Sequence, residues 1–331
     1  DGVKVIGDSA FKNKGLTIVA FPNSLNEICD NAFNGNKLAS ITIPSSVKKI
    51  GEFAFEDNQI VNLRIPGTIV TLGEYAFAYN KISNLVLPDA MTEIPDGIFR
   101  NNQLTSVKIP ASVTSIGGWA FISNQLSSIS IPGRVTSIGP NAFRDNLLTS
   151  LTIPNSVTEV DVAAFRENRL TNVSIPYSLK SISTYVFSDN RLTGVFIPNS
   201  VSTIGDNSFA NNQLTTLSIP DSVTYLSGFN GNQLTKLVIP NGVETIGTYA
   251  FTDNQLTSVV IPASVKTIGI DAFKNNRLTN AIIPNSVTAL EYEAFRGNSI
   301  QSVMIPASVS RLLIYNYDNE NRYPFDNGTK Y

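Results

Sequence analysis

Seven apolar positions recur along the chain with constant spacing, separated mainly by Ser, Thr and Asn. In one clear copy they are Leu256, Val259, Ile261, Val265, Ile268, Ala272 and Phe273. A proline follows the third position, and these prolines lie 22 residues apart from Pro22 to Pro220 and again from Pro240 to Pro306. A fixed period of this length indicates a repeat protein, in which each coil stacks on the next.

One coil is shorter than the others, since Pro220 and Pro240 are only 20 residues apart. Phe209 follows Ile204 by five positions, whereas Phe229 follows Leu226 by three. The two missing residues therefore lie in a turn, and we expect the neighbouring strand to be intact.

Within a coil, the pattern predicts two extended segments and one tight turn. Leu256 to Ile261 ends in alternating apolar positions rich in β-branched residues, which favours a short strand. The proline that follows has no N–H group, so it ends strand pairing at the same place in every coil. Val265 to Ile268 predicts a second extended or turning segment that Gly269 ends. The Ala272-Phe273 pair predicts one helical or 3₁₀ turn.

These elements predict a repeat solenoid of about fourteen 22-residue coils. We expect one parallel β-sheet, with short extended and 3₁₀ or helical turns on the other side, because identical strands at a fixed period pair in register. The solenoid is expected to span residues 1–312. The aromatic-rich residues 313–331 are expected to form a C-terminal cap or a linker. Because the chain begins in the middle of a repeat, we interpret it as a mature or trimmed fragment.

Two internal rows of side chains are predicted to hold the coils together. The Phe of each coil, from Phe11 to Phe295, is expected to stack in a buried column. An Asn precedes each strand and is expected to bond backbone groups that the turn leaves unpaired. The members of this row are Asn36, Asn58, Asn80, Asn102, Asn124, Asn146, Asn168, Asn190, Asn212, Asn232, Asn254, Asn276 and Asn298. Lys14 takes this place in the first coil.

Composition excludes several kinds of chemistry. The chain has no His, which removes the usual general base and the commonest metal ligand. Its single cysteine, Cys29, has no intramolecular disulfide partner and stands where other coils carry Gly, so we interpret it as a small buried residue rather than a reactive thiol. Charged residues make up 15% of the chain and the net charge is −2, which gives no sign of nucleic-acid binding. We expect no cofactor, no metal and no integral membrane segment.

The stretch Asn124-Gln125-Leu126, followed by Ile131-Pro132, Val135, Ile138-Gly139 and Ala142-Phe143, is similar to a known repeat. It resembles the leucine-rich repeats of the BspA-like bacterial surface proteins, also called the Treponema pallidum type. The resemblance covers about residues 1–312. It implies a curved leucine-rich-repeat solenoid, an extracellular or cell-surface location, and adhesion to host matrix proteins, host cell-surface proteins or glycans, or other bacteria.

A candidate binding face follows from the strand pattern, because the residue two positions before each repeat proline should point outward. The middle of this row is mainly polar, and Lys108 is one of the few charged residues in the row. Toward the end of the chain the row becomes apolar, which is uncommon on a soluble protein. The apolar members in this later part of the row are Phe196, Val238, Val260, Ile282 and Met304. We weigh three interpretations: they bind a partner, the aromatic tail or a second copy covers them, or they have no role beyond suiting a strand.

Other functions remain open from the sequence. The leading hypothesis is a non-enzymatic binding module, and the alternatives are a polysaccharide-acting parallel β-helix enzyme and a passive spacer. An aromatic row at the turns either packs over the turns or stacks on sugars; it contains Phe53, Tyr75, Trp119, Tyr185 and Tyr249. Acidic residues also recur at the turns, and we interpret them as a solvated, charge-balanced surface rather than a Ca²⁺ site.

Overall fold

The computed structural model describes residues 2–312, and the side chains of residues 2–310. The chain divides into two compact units, with unit 1 ending at Arg169 and unit 2 beginning at Leu170. The predicted cap or linker at residues 313–331 lies outside the described residues. The expectation that one solenoid spans residues 1–312 stays a prediction, which urea denaturation and limited proteolysis can test.

Both units consist of strands of two or three residues joined by turns. Unit 1 contains β1 (Val5–Ile6), β2 (Glu27–Ile28), β3 (Lys49–Ile50), β4 (Asn62–Arg64), β5 (Thr71–Leu72), β6 (Asn84–Val86), β7 (Glu93–Ile94), β8 (Ser115–Ile116), β9 (Ser137–Ile138), β10 (Ser150–Thr152) and β11 (Glu159–Val160). Unit 2 contains β12 (Asn172–Ser174), β13 (Ser181–Ile182), β14 (Thr203–Ile204), β15 (Tyr225–Leu226), β16 (Leu237–Val238), β17 (Thr245–Ile246), β18 (Val259–Val260), β19 (Thr267–Ile268), β20 (Ala281–Ile282), β21 (Ala289–Leu290), β22 (Val303–Met304) and β23 (Arg311–Leu312).

The most regular pairing involves the strands that follow each proline, which we call the post-proline strands. In unit 1 they pair in the orders β1-β2-β3-β5 and β7-β8-β9-β11, and in unit 2 in the order β13-β14-β15-β17-β19-β21-β23. Pairing is parallel and in register, with Glu27 opposite Lys49 and Ile28 opposite Ile50. The isoleucines are buried while the preceding residues are partly or fully exposed, as the two-residue period of a strand requires. The parallel-strand solenoid prediction is confirmed.

The short coil lies where the sequence predicts it. Thr203 pairs with Tyr225, 22 residues later, whereas Tyr225 pairs with Thr245, only 20 residues later. The strands on both sides are intact, so the loss falls in the turn between Leu226 and Phe229. Gly228 has a φ of 92° in this turn. A Cβ at Gly228 would overlap the Ser208 side chain and the Gly205 carbonyl, so the shortened turn requires glycine.

The strands before the prolines form shorter ladders than expected. They pair as β4–β6 in unit 1, and as β16–β18 and β20–β22 in unit 2. The sequence predicts a strand from Leu256 to Ile261, but only Val259–Val260 is a strand. The N–H of Leu256 donates instead to the side-chain oxygen of Asn276, at 3.0 Å. Each coil therefore contributes to up to two sets of ladders, and the single-sheet expectation is corrected.

The Ala-Phe segment is not helical, and no residue between 2 and 312 belongs to an α- or 3₁₀-helix. The coil at Phe251 shows why. Ala250 N–H donates to Gly247 O (3.4 Å) and Thr252 N–H donates to Tyr249 O (3.2 Å), but Phe251 N–H donates to Ala272 O of the next coil (2.7 Å). Tyr249 has a left-handed φ of 57°. The segment is a pair of β-turns whose alternate N–H groups bond the next coil, so the helical-turn prediction is wrong.

The predicted phenylalanine column is confirmed inside each unit. Neighbouring rings stack with centroids 5.2–6.4 Å apart, for example 5.4 Å between Phe121 and Phe143. From Phe33 to Phe273 the members are almost completely buried, whereas Phe11 is 42% exposed.

The asparagine row is also confirmed, and each buried amide bonds backbone groups of more than one coil. Asn146 Nδ2 donates to the carbonyls of Phe121, Phe143 and Arg144 at 2.9, 3.2 and 3.3 Å. Its Oδ1 accepts from the N–H of Leu126 at 3.0 Å. The row thus satisfies backbone groups that the Phe and Leu positions leave without ladder partners.

Candidate functional site

The side chains that point outward from the pre-proline segments form the surface that we call the strand face. It comprises the residues five, four and two positions before each repeat proline. Every residue two positions before a repeat proline is exposed, from Ala20 to Met304. The predicted outward orientation of Lys108, Phe196, Val238, Val260, Ile282 and Met304 is confirmed, while their role in binding stays a prediction.

Four of these residues form a continuous apolar strip on unit 2. Val238, Val260, Ile282 and Met304 are 78%, 77%, 72% and 84% exposed. Val238 lies opposite Val260 in one ladder and Ile282 lies opposite Met304 in another. β18 contacts β20, which joins the two pairs. We call these four residues the apolar strip.

Phe196 is not part of the apolar strip. It lies two coils earlier, with Ser218 between, and its ring is 6.2 Å from that of Tyr177. Both aromatics are more than 60% exposed. Sequence reasoning missed Tyr177; its signal is an aromatic directly after a repeat proline, where other coils carry mostly small or polar residues.

Lys108 belongs to unit 1, whereas the apolar strip and the Phe196–Tyr177 pair belong to unit 2. Together with Arg64 and Val86, Lys108 lines a groove of about 480 Å³ on the strand face, and Asp89 also belongs to the lining. Arg64 lies opposite Val86 in the β4–β6 ladder. The predicted site residues therefore belong to three separate surface features rather than to one.

A second groove, of about 590 Å³, lies along the post-proline strands of unit 1. Its lining includes Glu52, Glu74, Glu93, Asp96, Glu159 and Asp161, and no Lys or Arg. Burial raises the pKa of Glu74, and the nearby carboxylates of Asp96 and Glu52 raise it further. This groove was not predicted from the sequence, where acidic residues were considered only at the turns.

Two of the turn aromatics of unit 1, Phe53 and Tyr75, pack against residues of neighbouring coils. Phe53 and Tyr75 stack with ring centroids 5.2 Å apart, and both have a left-handed φ near 55°. The Tyr75 ring fills the space where Gly97 has no side chain. This geometry favours the packing interpretation over sugar stacking.

Cys29 is half-buried, and burial and then the Glu27 carboxylate raise the pKa of its thiol, which disfavours the reactive thiolate.

Unit 2 contains a compact ion network at its turns. The buried Glu293 carboxylate lies 2.6 Å from Arg296 Nη1 and 2.9 Å from Lys274 Nζ, and Lys274 also lies 2.9 Å from Asp271. Burial acts to raise the pKa of Glu293, but hydrogen bonds from Arg296, Tyr292 and Lys274 outweigh it and lower the pKa to about 2. The network therefore stabilises the fold as long as Glu293 is ionised.

Glu293→Gln is expected to lower the free energy of unfolding at pH 7. The folded pKa of about 2 lies below the ordinary value of 4.5. The carboxylate therefore contributes its full share to the free energy of unfolding above the ordinary pKa. This contribution is lost as the pH falls toward the pKa of the folded state. Urea denaturation of both proteins between pH 7 and 2 should show their difference shrinking in acid. Glu244→Gln is the control, because Glu244 forms an exposed ion pair with Lys266; it should change the free energy of unfolding little. A difference between Glu293→Gln and the wild type that does not depend on pH would contradict the account.

The described residues contain neither a metal-binding cluster nor a membrane-spanning helix. No group of three or more Cys, Asp or Glu residues among them is placed to hold a metal ion. The same residues include no long apolar helix of the kind that spans a bilayer.

The repeat pattern matches the family model for BspA-type leucine-rich repeat regions at residues 4–126, 120–228 and 226–322. The chain belongs to the BspA-type leucine-rich repeat family. Proteins of this kind are typically binding scaffolds without catalytic activity, and leucine-rich repeats mediate protein–protein interactions. A comparison with curated proteins finds no match.

Solved structures with the same fold come from several bacteria. A leucine-rich repeat protein from Bacteroides ovatus is 21% identical, with a TM-score of 0.59 over 98% of this chain and 81% of that chain. A leucine-rich cell surface protein from Faecalibacterium prausnitzii is 22% identical, with a TM-score of 0.51 over 86% and 84%. The pneumococcal vaccine antigen PcpA is 23% identical, with a TM-score of 0.51 over 66% and 68%. At these identities the comparisons show the BspA-type fold alone.

Proposed function

We propose that this BspA-type chain is a non-enzymatic binding module, secreted or displayed on a bacterial surface, that adheres to host matrix or cell-surface proteins or glycans. The strand face is the recognition surface in this proposal. Membership of the family and the likeness to a cell surface protein support the location.

The observation that carries the proposal is the apolar strip. Its four side chains are each more than 70% exposed and lie side by side on a face whose other outward positions are largely Ser, Thr and Asn. A contiguous apolar surface with a polar rim is characteristic of interaction sites. The strip is also placed on strands, so its residues are held rigidly for a partner.

Val260→Asp combined with Ile282→Asp is expected to abolish most binding on an array of purified matrix proteins, cell-surface proteins and glycans. Each carboxylate would have to be desolvated against an apolar partner surface, which weakens binding strongly. Both positions are exposed, so the fold should be retained, and circular dichroism checks this.

Thr224→Asp with Thr288→Asp is a charge-matched control. These exposed hydroxyls lie on the post-proline side of unit 2 and make only long hydrogen bonds, of 3.4 and 3.3 Å. The control should bind as the wild type does. If the strip variant folds and binds undiminished, the strip is not the recognition site.

Within the described residues, the enzyme alternative is best tested at the carboxylate-lined groove of unit 1. A polysaccharide-acting site requires a general acid beside a second carboxylate, and Glu74 has a raised pKa near Asp96 and Glu52. Incubation with plant and bacterial polysaccharides is expected to release no reducing sugar. Release that is lost in Glu74→Gln would favour the enzyme, whereas an array without any ligand would favour a passive spacer.

A further inference from the structure

Charge is segregated across the coil rather than along the chain. The strand-face positions hold the cations Arg64, Lys108 and Lys236 and not one Asp or Glu, although the chain has 26 acidic and 24 basic residues. The groove along the post-proline strands of unit 1 shows the opposite bias, with six carboxylates and no cation. The strand face is therefore the surface that attracts an acidic partner.

Arg64 and Lys108 make no ion pair and no side-chain hydrogen bond within the described residues, whereas several cations on other surfaces are paired with carboxylates. Lys49 lies 2.7 Å from Glu27, and Lys266 lies 2.8 Å from Glu244. The strand-face pair thus carries unneutralised charge at a place where the surface is also concave.

The groove arranges these charges around an apolar floor. Arg64, Val86 and Lys108 occupy the same position in three successive coils, so the backbones at the two cations are roughly 10 Å apart. Val86 lies between them, half exposed, and the floor continues in Leu87 and Pro88. Asn62 and Asn84, joined by an exposed Nδ2–Oδ1 hydrogen bond of 2.8 Å, line the same face.

We propose that this groove binds an acidic, extended peptide segment of a partner protein. Two carboxylates four residues apart in an extended chain lie on one side and are separated by roughly 13 Å, within reach of the long Arg64 and Lys108 side chains. Arg binds carboxylates through paired hydrogen bonds. An apolar residue midway between the carboxylates would meet Val86, whereas a uniformly charged polysaccharide would leave this apolar floor unused.

Asp89 affects which acidic peptides the groove would accept. It is the one carboxylate in the lining, so the groove has a net charge of +1 rather than +2. Asp89 is exposed, so a peptide N–H or a basic residue beside the acidic segment would be able to reach its carboxylate. This inference rests on the proposed role of the strand face in recognition.

The test uses a fluorescent heptapeptide, Gly-Glu-Ser-Val-Ser-Glu-Gly, and its counterpart with Gln at both Glu positions. We expect the Glu peptide to bind wild-type protein, to weaken as salt rises, and to bind at least about tenfold more tightly than the Gln peptide. Arg64→Ser with Lys108→Ser should reduce its affinity by at least about tenfold. Ser130 and Ser174 occupy this position in other coils, so the variant is expected to fold.

The matched control is Lys236→Ser with Arg277→Gln, which removes two cations from unit 2. Ser258 and Gln255 stand at these positions in a neighbouring coil. The control should retain peptide affinity within about twofold, because the groove is untouched. Equal losses in both variants, or equal binding of the Glu and Gln peptides, would overturn the proposal. Binding of a sulfated polysaccharide fragment without binding of the Glu peptide would also overturn it.

The apolar strip variant separates this inference from the proposed function. It leaves the groove intact and should bind the Glu peptide normally. If array binding depends on the strip while the Glu peptide never binds, the proposed function stands and the groove proposal fails. If the Glu peptide binds through Arg64 and Lys108 while the array shows no strip-dependent ligand, the groove proposal stands and the strip does not mediate adhesion.

Discussion

Phe143→Ala is expected to lower the free energy of unfolding by about 3–5 kcal/mol. The ring is fully buried and stacks between Phe121 and Phe165, each 5.4 Å away. A coil contacts only its neighbours, so the cavity cannot be filled by distant side chains. Urea denaturation followed by circular dichroism measures the effect.

Phe196→Ala is the matched control, because it makes the same chemical change at a side chain that is 63% exposed. Its effect should stay within about 0.5 kcal/mol. Similar losses in both variants would show that the column is not what holds the coils together.

Asn146→Ala and Asn168→Ala should each cost about 1–3 kcal/mol for every buried backbone group left unpaired. Asn146 serves Leu126 N–H and three carbonyls. Asn168 makes the equivalent bonds to Leu148 N–H and to the carbonyls of Phe143, Phe165 and Arg166. Alanine supplies neither donor nor acceptor, so every bond is lost together.

Gln125→Ala controls for the loss of an amide, since Gln125 is exposed beside Asn124 of the same row. It should be nearly neutral in the same urea experiment. Unchanged midpoints for both asparagine variants would mean that water satisfies the backbone groups and that the row contributes nothing to stability.

The sequence predicted those features that repeat in every coil. The Phe column, the Asn row and the outward strand row each depend on one residue type at one position, so 22-residue spacing was enough to locate them. The spacing also located the shortened turn, because a missing pair of residues shifts every later position.

Backbone details inside a coil were harder to predict. The sequence predicted a helical turn at the Ala-Phe pair. It contained no sign that the residue before this pair adopts a left-handed backbone conformation. Trp119, Tyr75 and Phe53 all have a φ near 55°, a conformation that bulky residues seldom adopt. They are held there because alternate N–H groups bond the next coil, a tertiary effect that propensity does not contain.

The sequence predicted that the candidate site residues point outward, but it did not predict which of them lie together on the surface. One row supplied Lys108, Phe196 and the apolar strip, yet the structure separates them into three features. The grooves depend on neighbouring rows, such as Asp89 beside Lys108. The balanced charge along the chain gave no sign that cations and carboxylates lie on different faces of the coil. Tyr177 was overlooked because it lies outside the row two positions before each repeat proline.

The most direct test of strand-face recognition is oxidative footprinting of the protein with and without its tightest array ligand. Met304, Ile282 and Phe196 are exposed and readily labelled, and we expect the ligand to reduce labelling at Met304 and Ile282. Tyr79 and Tyr249, exposed at the turns, should be labelled equally in both states. Protection of these tyrosines with unchanged labelling of Met304 and Ile282 would contradict the account and place the binding surface on the turns.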